Sequence, residues 1–269
     1  MTAARLRAVL MYAYAALLLC FMLAPLLLVF PMSLTSSNTL QFPVPGYSLR
    51  WHEELLADGR WIDALKVSVI IGIAATALSL ALGIPAAIAL AWGRFPGKRF
   101  VSAVLAAPIV TPLVIVGVAA YFYFSQLGLV GDRLSIILVH AALALPIVVS
   151  TVAASLTTFD RTLLRASASL GAGVWRGFFQ VLLPLIAPGV AAGAIIAFII
   201  SFDEIVVASF LSVGAERTLP RMIFSGVRES VSPAVAAVSV VLMTFSAILL
   251  ALLGWVQSRS ARLARRRQA

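Results

Sequence analysis

The sequence predicts an all-α membrane protein with six transmembrane helices, and three observations carry that expectation. Hydrophobic residues make up 62% of the 269 residues and charged residues only 11%, where a soluble chain carries roughly 25% charged. Charges divide the chain into uncharged windows at 8–49, 67–93, 100–131, 134–159, 177–202 and 230–258, with 205–215 continuing the fifth. Each window supplies the ~20 residues a helix needs to cross the hydrocarbon core. Apolar runs such as Ala15 to Leu19 also lack the alternation of a transmembrane strand.

The same composition excludes whole classes of function. A soluble enzyme or a disordered tail is incompatible with so few charges. The net charge of +10, from 20 Lys and Arg against 10 Asp and Glu, has almost no polar surface on which to form a nucleic-acid-binding face. Cys20 is the single cysteine, so an internal disulfide is excluded.

Taken in order, the spans are expected at 9–31, 64–91, 101–124, 134–156, 187–212 and 233–256. The first follows Arg5 and Arg7, as a signal peptide would. Its apolar run, 8–32, is longer than the roughly 7–15 residues of a signal core, and no small-residue cleavage site closes it before Pro43 and Pro45. It is read as a retained helix. In the following loop, 32–63, Ser48 is expected to cap a short helix ending near Asp58 and Gly59. Trp51 and Trp61 flank that helix, either as an aromatic belt or as part of a surface at the mouth of a pathway. Pro25, Pro85, Pro108, Pro112 and Pro146 fall inside apolar windows, where each removes a backbone donor and kinks its helix. No repeat relates the two halves, so an inverted-repeat secondary transporter gains no support.

Six spans put both ends on one side. That side carries Arg5, Arg7, Arg94, Lys98, Arg99, Arg161, Arg165, Arg176, Arg259, Arg262, Arg265, Arg266 and Arg267, 13 basic residues against 7 elsewhere. The positive-inside rule then predicts cytoplasmic termini. The basic tail, 258–269, holds the last span at the anionic inner leaflet. The charge excess is therefore an orientation signal.

The longest cytoplasmic connection, 157–190, is ordered in its sequence. Asp160 is placed to cap a helix over 161–170, with Gly171 as a left-handed terminator. A second short helix over 174–182 would stop near Pro184. Leu163, Leu164 and Leu170 would be presented together with Arg161 and Arg165.

These residues resemble the permease subunits of ATP-binding-cassette importers. That family carries Glu-Ala-Ala, three residues, Gly, nine residues, then Ile-x-Leu-Pro in this loop. The matching positions are Arg165, Ala166 and Ser167, then Gly171, Val181, Leu183 and Pro184. Gly171, Leu183 and Pro184 are identical, Val181 replaces Ile, Ser167 replaces Ala, and Arg165 stands where the family has Glu. The likeness extends over residues 45–257: Phe95 to Arg99 is similar to the short inner loop, and His140 with Pro146 to the fourth span. Ser201-Phe202-Asp203-Glu204, Leu219-Pro220 and Val231-Ser232-Pro233 resemble the C-type permeases of spermidine/putrescine importers.

The resemblance implies a type I importer permease fold in a bacterial cytoplasmic (inner) membrane. It implies a first helix and outer loop over 1–60, a transmembrane core over 61–257 with an ATPase-docking loop at 157–186, and a tail from 258. The expected partners are an ABC ATPase dimer, a second related but different permease chain, an external substrate-binding protein and the lipid bilayer, without nucleic acid. ATP and Mg are expected on the ATPase, with no cofactor on this chain. The expected cargo is a small cationic polyamine-like solute. 4-Aminobutyrate, amino acids and opine-like compounds are the alternatives.

Asp203 and Glu204 are carboxylates inside an apolar segment, where an ionised group costs roughly 2.5–3.5 kcal/mol on the insertion scale. Gly193, Ala197, Ser201, Glu204, Ala208 and Ser212 share one small, polar stripe at helical spacing. The stripe is either a close helix contact, supported by Gly189-x-x-x-Gly193, or a path wall on which Ser201, Asp203 and Glu204 attract a cation. Trp51 is the further pathway candidate. Gly93-x-x-x-Gly97-Lys98 is one residue short of a phosphate loop and lacks the following Ser or Thr. His52 and His140 lack ligand-spaced neighbours, so no metal site is expected, and His140 is read as bonding another helix. No nucleophile–base pair is recognisable, which disfavours a six-span membrane enzyme. A channel or secondary transporter would need no ATPase.

Overall fold

The computed structural model describes residues 3–212, 216–229 and 232–266, with the side chains of 3, 4, 6, 229 and 259–266 outside the description. Its helices are α1 (Ala3–Ser33), α2 (Arg50–Ala57), α3 (Gly59–Trp92), α4 (Lys98–Val110), α5 (Leu113–Gln126), α6 (Arg133–Thr157) and α7 (Thr162–Ser169). They continue as α8 (Val174–Gly177), α9 (Leu183–Phe202), α10 (Val206–Leu211), α11 (Leu219–Glu229) and α12 (Pro233–Arg266). Among the described residues five helices are long and apolar enough to span a membrane, and the bent pair α4–α5 supplies a sixth. The chain divides into two compact units, residues 1–62 with 223–245 and residues 63–222 with 246–269.

In the first unit, α1 is apolar on every side and exposed along its length, the pattern of a helix whose solvent is lipid. Beyond it, an antiparallel bridge joins Thr35 and Tyr47. Ser48 Oγ accepts from Arg50 N at 3.1 Å, just ahead of α2, but the N-cap position is Leu49, which makes no side-chain cap bond, so Ser48 sits one residue too early to cap. That helix buries Trp51 and Leu55 and ends at Asp58, as expected. The α12 helix begins at Pro233, the position where a missing N–H costs nothing; Val231, Arg267 and the last residues of the tail lie outside the described residues.

The second unit is built on α3, α6 and α9. Ala87, Ala144, Val148, Val152, Leu156, Leu182 and Ile186 form one buried cluster. Val67, Ile71, Phe124, Ile136, Val207 and Leu211 form another, joining α3, α5, α6 and α10. Gly189 and Gly193 let α9 approach α6 closely. A Cβ on Gly189 would lie 1.8 Å from Ser155 Oγ, and one on Gly193 2.5 Å from Thr151 Oγ1. The inner end of the small-residue stripe is thus a helix contact, and all six of its members are buried.

Two expected spans are not single rods. The third is cut at Thr111 and Pro112, where α4 and α5 meet at a bend of 104°. A residue before proline is driven out of the helical region, and Thr111 has ψ 128°. The fifth breaks after Phe202, and α10 resumes at Val206. Its other end also differs from expectation. The helix begun at Val174 does not stop near Pro184 but runs through a π turn, Phe178–Leu182, directly into α9. Pro184 has no N–H to return to the preceding turn, and the widened turn falls immediately before it.

Candidate functional site

The two broken spans face one cavity. Pro108, Ile109, Thr111 and Leu113 line it from the α4–α5 break, and Asp203, Glu204, Ile205 and Val206 from the α9–α10 break; its volume is about 520 Å³. Discontinuous helices at a cavity are where membrane proteins tolerate freed backbone groups and place ligand sites. Pro112 by itself implies only a kink. The missed signal was Thr111, which the following proline holds extended.

The two acidic neighbours separate sharply. Asp203 is exposed, whereas Glu204 is 7% exposed. The Glu204 carboxylate accepts from Val207 N at 2.9 Å and from Ala208 N at 3.0 Å. In an unbroken helix those N–H groups would bond the carbonyls of Asp203 and Glu204. The side chain therefore replaces the backbone ladder and stabilises the break.

Behind Glu204 stands a buried polar group drawn from another helix. His140 of α6 is fully buried. Its Nδ1 is 2.8 Å from Ser201 Oγ on α9, the inter-helix bond expected of it. Its Nε2 lies 3.4 Å from Glu204 Oε2 and makes no hydrogen bond among the described residues. Ser201, His140 and Glu204 thus tie α6, α9 and α10 together. Both residues border the cavity, but of the two carboxyl groups only Asp203 is exposed there. No group of three or more His, Cys, Asp and Glu suited to a metal occurs among the described residues.

Trp51 belongs to the first unit. It is 7% exposed, with the Arg50 guanidinium 4.4 Å from its ring centroid, while Tyr47, Leu49 and Leu56 near it in sequence are exposed.

The connection after α6 forms the compact turn its sequence implies. Asp160 Oδ1 accepts from Thr162 N at 2.9 Å, and these hydrogen bonds hold its carboxyl below the usual aspartate range. At the other end, Gly171 adopts φ +83°. Its N–H reaches Ala168 O at 2.9 Å, and Ala172 N reaches Ser167 O at 3.0 Å, the paired bonds of a Schellman terminus. Arg165 and Ala166 are exposed, Ser167 and Val181 are half-buried, and Leu183 and Pro184 open α9. Leu163, Leu170, Val174 and Trp175 are exposed, Leu170 by 89% and Val174 by 88%. Leu164 differs from expectation: it packs inward against the Leu182–Ile186 cluster, being turned about 100° around α7 from its exposed neighbour Leu163.

Residues 79–262 match the family described as binding-protein-dependent transport system inner membrane component. The putrescine transport system permease protein of Escherichia coli (strain K12) is 34% identical over 230 residues, covering 83% of this chain and 82% of that protein. The spermidine/putrescine transport system permease protein of the same strain is 31% identical over 216 residues, covering 80% and 82%. Among solved structures, a bacterial ABC transporter involved in the import of the acidic polysaccharide alginate superposes with a TM-score of 0.73 at 16% identity, covering 94% of this chain and 97% of that one. This last likeness concerns the fold.

Proposed function

Since the chain belongs to the binding-protein-dependent transport system inner membrane components, and is thus a multi-pass inner-membrane permease of an ABC importer rather than an enzyme, we propose that its cargo is a small cationic, polyamine-like solute. Importer membership implies a partner ATPase and a binding protein. The single observation that carries the substrate reading is Asp203, an exposed carboxylate at the break between α9 and α10, on a cavity of about 520 Å³. A cation leaving water for that cavity exchanges hydration for an anion in a surrounding of low dielectric, where their attraction is strengthened. The relatives named for putrescine and spermidine support the same reading.

In this proposal both termini are cytoplasmic, and this chain forms half of the path beside a second, related permease. ATP, with Mg, closes the partner ATPases, and the turn around Gly171 receives that movement through exposed Leu170, Val174 and Trp175. The residues matching the family's loop, Arg165, Ala166, Ser167, Gly171, Val181, Leu183 and Pro184, shape and seat that turn. The fifth span carries the displacement to the breaks, which rearrange around the cavity in alternating access. Asp203 meets the cargo, while Ser201 and Glu204 hold the break in shape. Trp51 anchors a short helix whose exposed neighbours Tyr47, Leu49 and Leu56 offer a surface to the binding protein.

The test is uptake of labelled putrescine by the complete importer, with spermidine and 4-aminobutyrate as competitors. Asp203→Asn should raise KM about tenfold or more, the range for losing one charged hydrogen-bond partner. An unchanged KM in a variant that assembles normally would overturn the substrate reading.

A further inference from the structure

We propose that the end of α3 is a binding site for an anionic phospholipid, with the phosphate held by Arg94, Lys98 and Arg161 and an acyl chain laid between α3, α4 and α6. Four cavities border one side chain there, Trp92, and three of them make up the site. A cavity of about 500 Å³ is lined by Trp92, Gly93, Arg94, Lys98 and Arg161. Another, of about 430 Å³, is lined by Trp92, Arg161, Leu164 and Arg165. A third, of about 450 Å³, runs along apolar residues of α3, α4 and α6, among them Leu90, Leu105, Ile109, Val149 and Ala153.

The cations come from separate segments, the α3–α4 turn and the α6–α7 turn, yet converge on the same ring. The Arg161 guanidinium lies 4.9 Å from the Trp92 ring centroid, and Phe159 packs on the ring at 5.7 Å. Lys98 Nζ gives one bond to Gly93 O at 3.2 Å, and an ammonium has two more donors. Among the described residues no ion pair links Arg94, Lys98, Arg161 or Arg165 to a carboxylate. Asp160, the neighbouring acid, is engaged by Thr162 N. Arg94, Lys98 and Arg161 thus form a cluster of like charges with no carboxylate in ion-pair contact among the described residues.

The groove decides which anion fits. A free phosphate would satisfy the cations and leave the apolar cleft empty. A phospholipid fills both, because its charged head and its chain are joined in the order in which the polar cavities and the groove adjoin. Exposed Phe95 and Phe100 on the same turn suit the headgroup level of a bilayer, where aromatic rings concentrate. Basic pockets between spans bind anionic headgroups by this physics. Since Arg161 immediately precedes α7 and Arg165 lies within it, a seated lipid would also steady the docking turn. The inference rests on the inner-membrane placement of the chain and is independent of its cargo.

Native mass spectrometry of the assembled importer, extracted with detergent from bilayers of phosphatidylglycerol and phosphatidylcholine, tests it. The wild type should retain phosphatidylglycerol and not phosphatidylcholine. Arg94→Gln with Arg161→Gln should lower retention about tenfold or more, whereas Arg99→Gln, a cation outside the cavities, should retain it. Ala106→Phe, which fills the groove without touching the cations, should also lower retention, and it keeps the test decisive if the double variant fails to assemble. Equal retention of both lipids would overturn the proposal, as would undiminished retention in the double or the groove variant. Displacement of the lipid by millimolar inorganic phosphate with no effect of Ala106→Phe would also overturn it, in favour of a free-anion site.

Discussion

His140 Nε2 stands 3.4 Å from Glu204 Oε2, and the same ring reaches Ser201 Oγ through Nδ1 at 2.8 Å. One buried imidazole on α6 therefore meets both the end of α9 and the break that follows it. Glu204 in turn accepts from Val207 N and Ala208 N. The adjacent acids Asp203 and Glu204 thus differ in surroundings: both border the cavity, Asp203 exposed, Glu204 buried and bonded to the backbone.

That division predicts different phenotypes. Glu204→Gln replaces one of the two accepting oxygens with an NH2 group that only donates, and a buried donor left unpaired costs about 1–3 kcal/mol. The variant should lower the thermal midpoint of the purified complex, and uptake should fall with the amount folded. Asp203→Asn should leave the midpoint unchanged and raise KM. Equal destabilisation by both substitutions would refute the division.

Much of this arrangement was legible in the sequence, and the limits have physical causes. Charge-free windows locate spans because the bilayer penalises charge along the whole length of a helix. They carry no information on axis direction, so the bend at Thr111–Pro112 stayed hidden inside a window of uniform hydropathy. Gly171 was readable because a left-handed terminus is a local requirement of three or four residues. Glu204 was not, since a carboxylate capping a resumed helix and one lining a path look alike in sequence. Only the break itself, which frees Val207 N and Ala208 N for the carboxylate, reveals the capping. Leu164 was misplaced for a related reason: a short helix shows its apolar face in sequence, but not which leucine the core claims.

The contact of α9 on α6 offers a stability test independent of transport. A Cβ at position 189 would lie 1.8 Å from Ser155 Oγ and 2.8 Å from Ser155 Cβ. Gly189→Ala should therefore destabilise the fold by about 1–3 kcal/mol, the range for overpacking, read as a lower thermal midpoint. Ser155→Gly in the same chain removes both close atoms and should restore most of the loss. No recovery in the double variant would mean that the helices approach elsewhere.

At Gly171 the Cβ space is open, so a substitution tests backbone conformation alone. With φ at +83°, Gly171→Ala carries a left-handed penalty of about 1–2 kcal/mol, and Gly171→Asn a smaller one because Asn also serves at this terminus. The turn is exposed and peripheral, so the permease should stay folded in both. Co-purification of the ATPase should fall in the order wild type, Asn, Ala. Full ATPase recovery with Gly171→Ala would show that the turn does not make that contact.

The bend between α4 and α5 is the last feature with a separable consequence. Thr111 is held extended by Pro112, and proline inside a helix costs roughly 3 kcal/mol relative to alanine. Pro112→Ala removes that restraint and lets the two helices join. In a Cys20→Ala background, spin labels at exposed positions Val101 and Tyr123 would sit about 33 Å apart on a straight helix. With the 104° bend the same rise per residue brings them to roughly 20 Å. The variant should broaden the distance distribution towards the longer value. Because the cavity takes one wall from this bend, uptake should fall while the complex still assembles and binds its ATPase. A distribution unchanged by Pro112→Ala would show that α5, seated on α10 through Phe210 against Gly117, fixes the bend by packing. The proline would then follow the fold rather than set it.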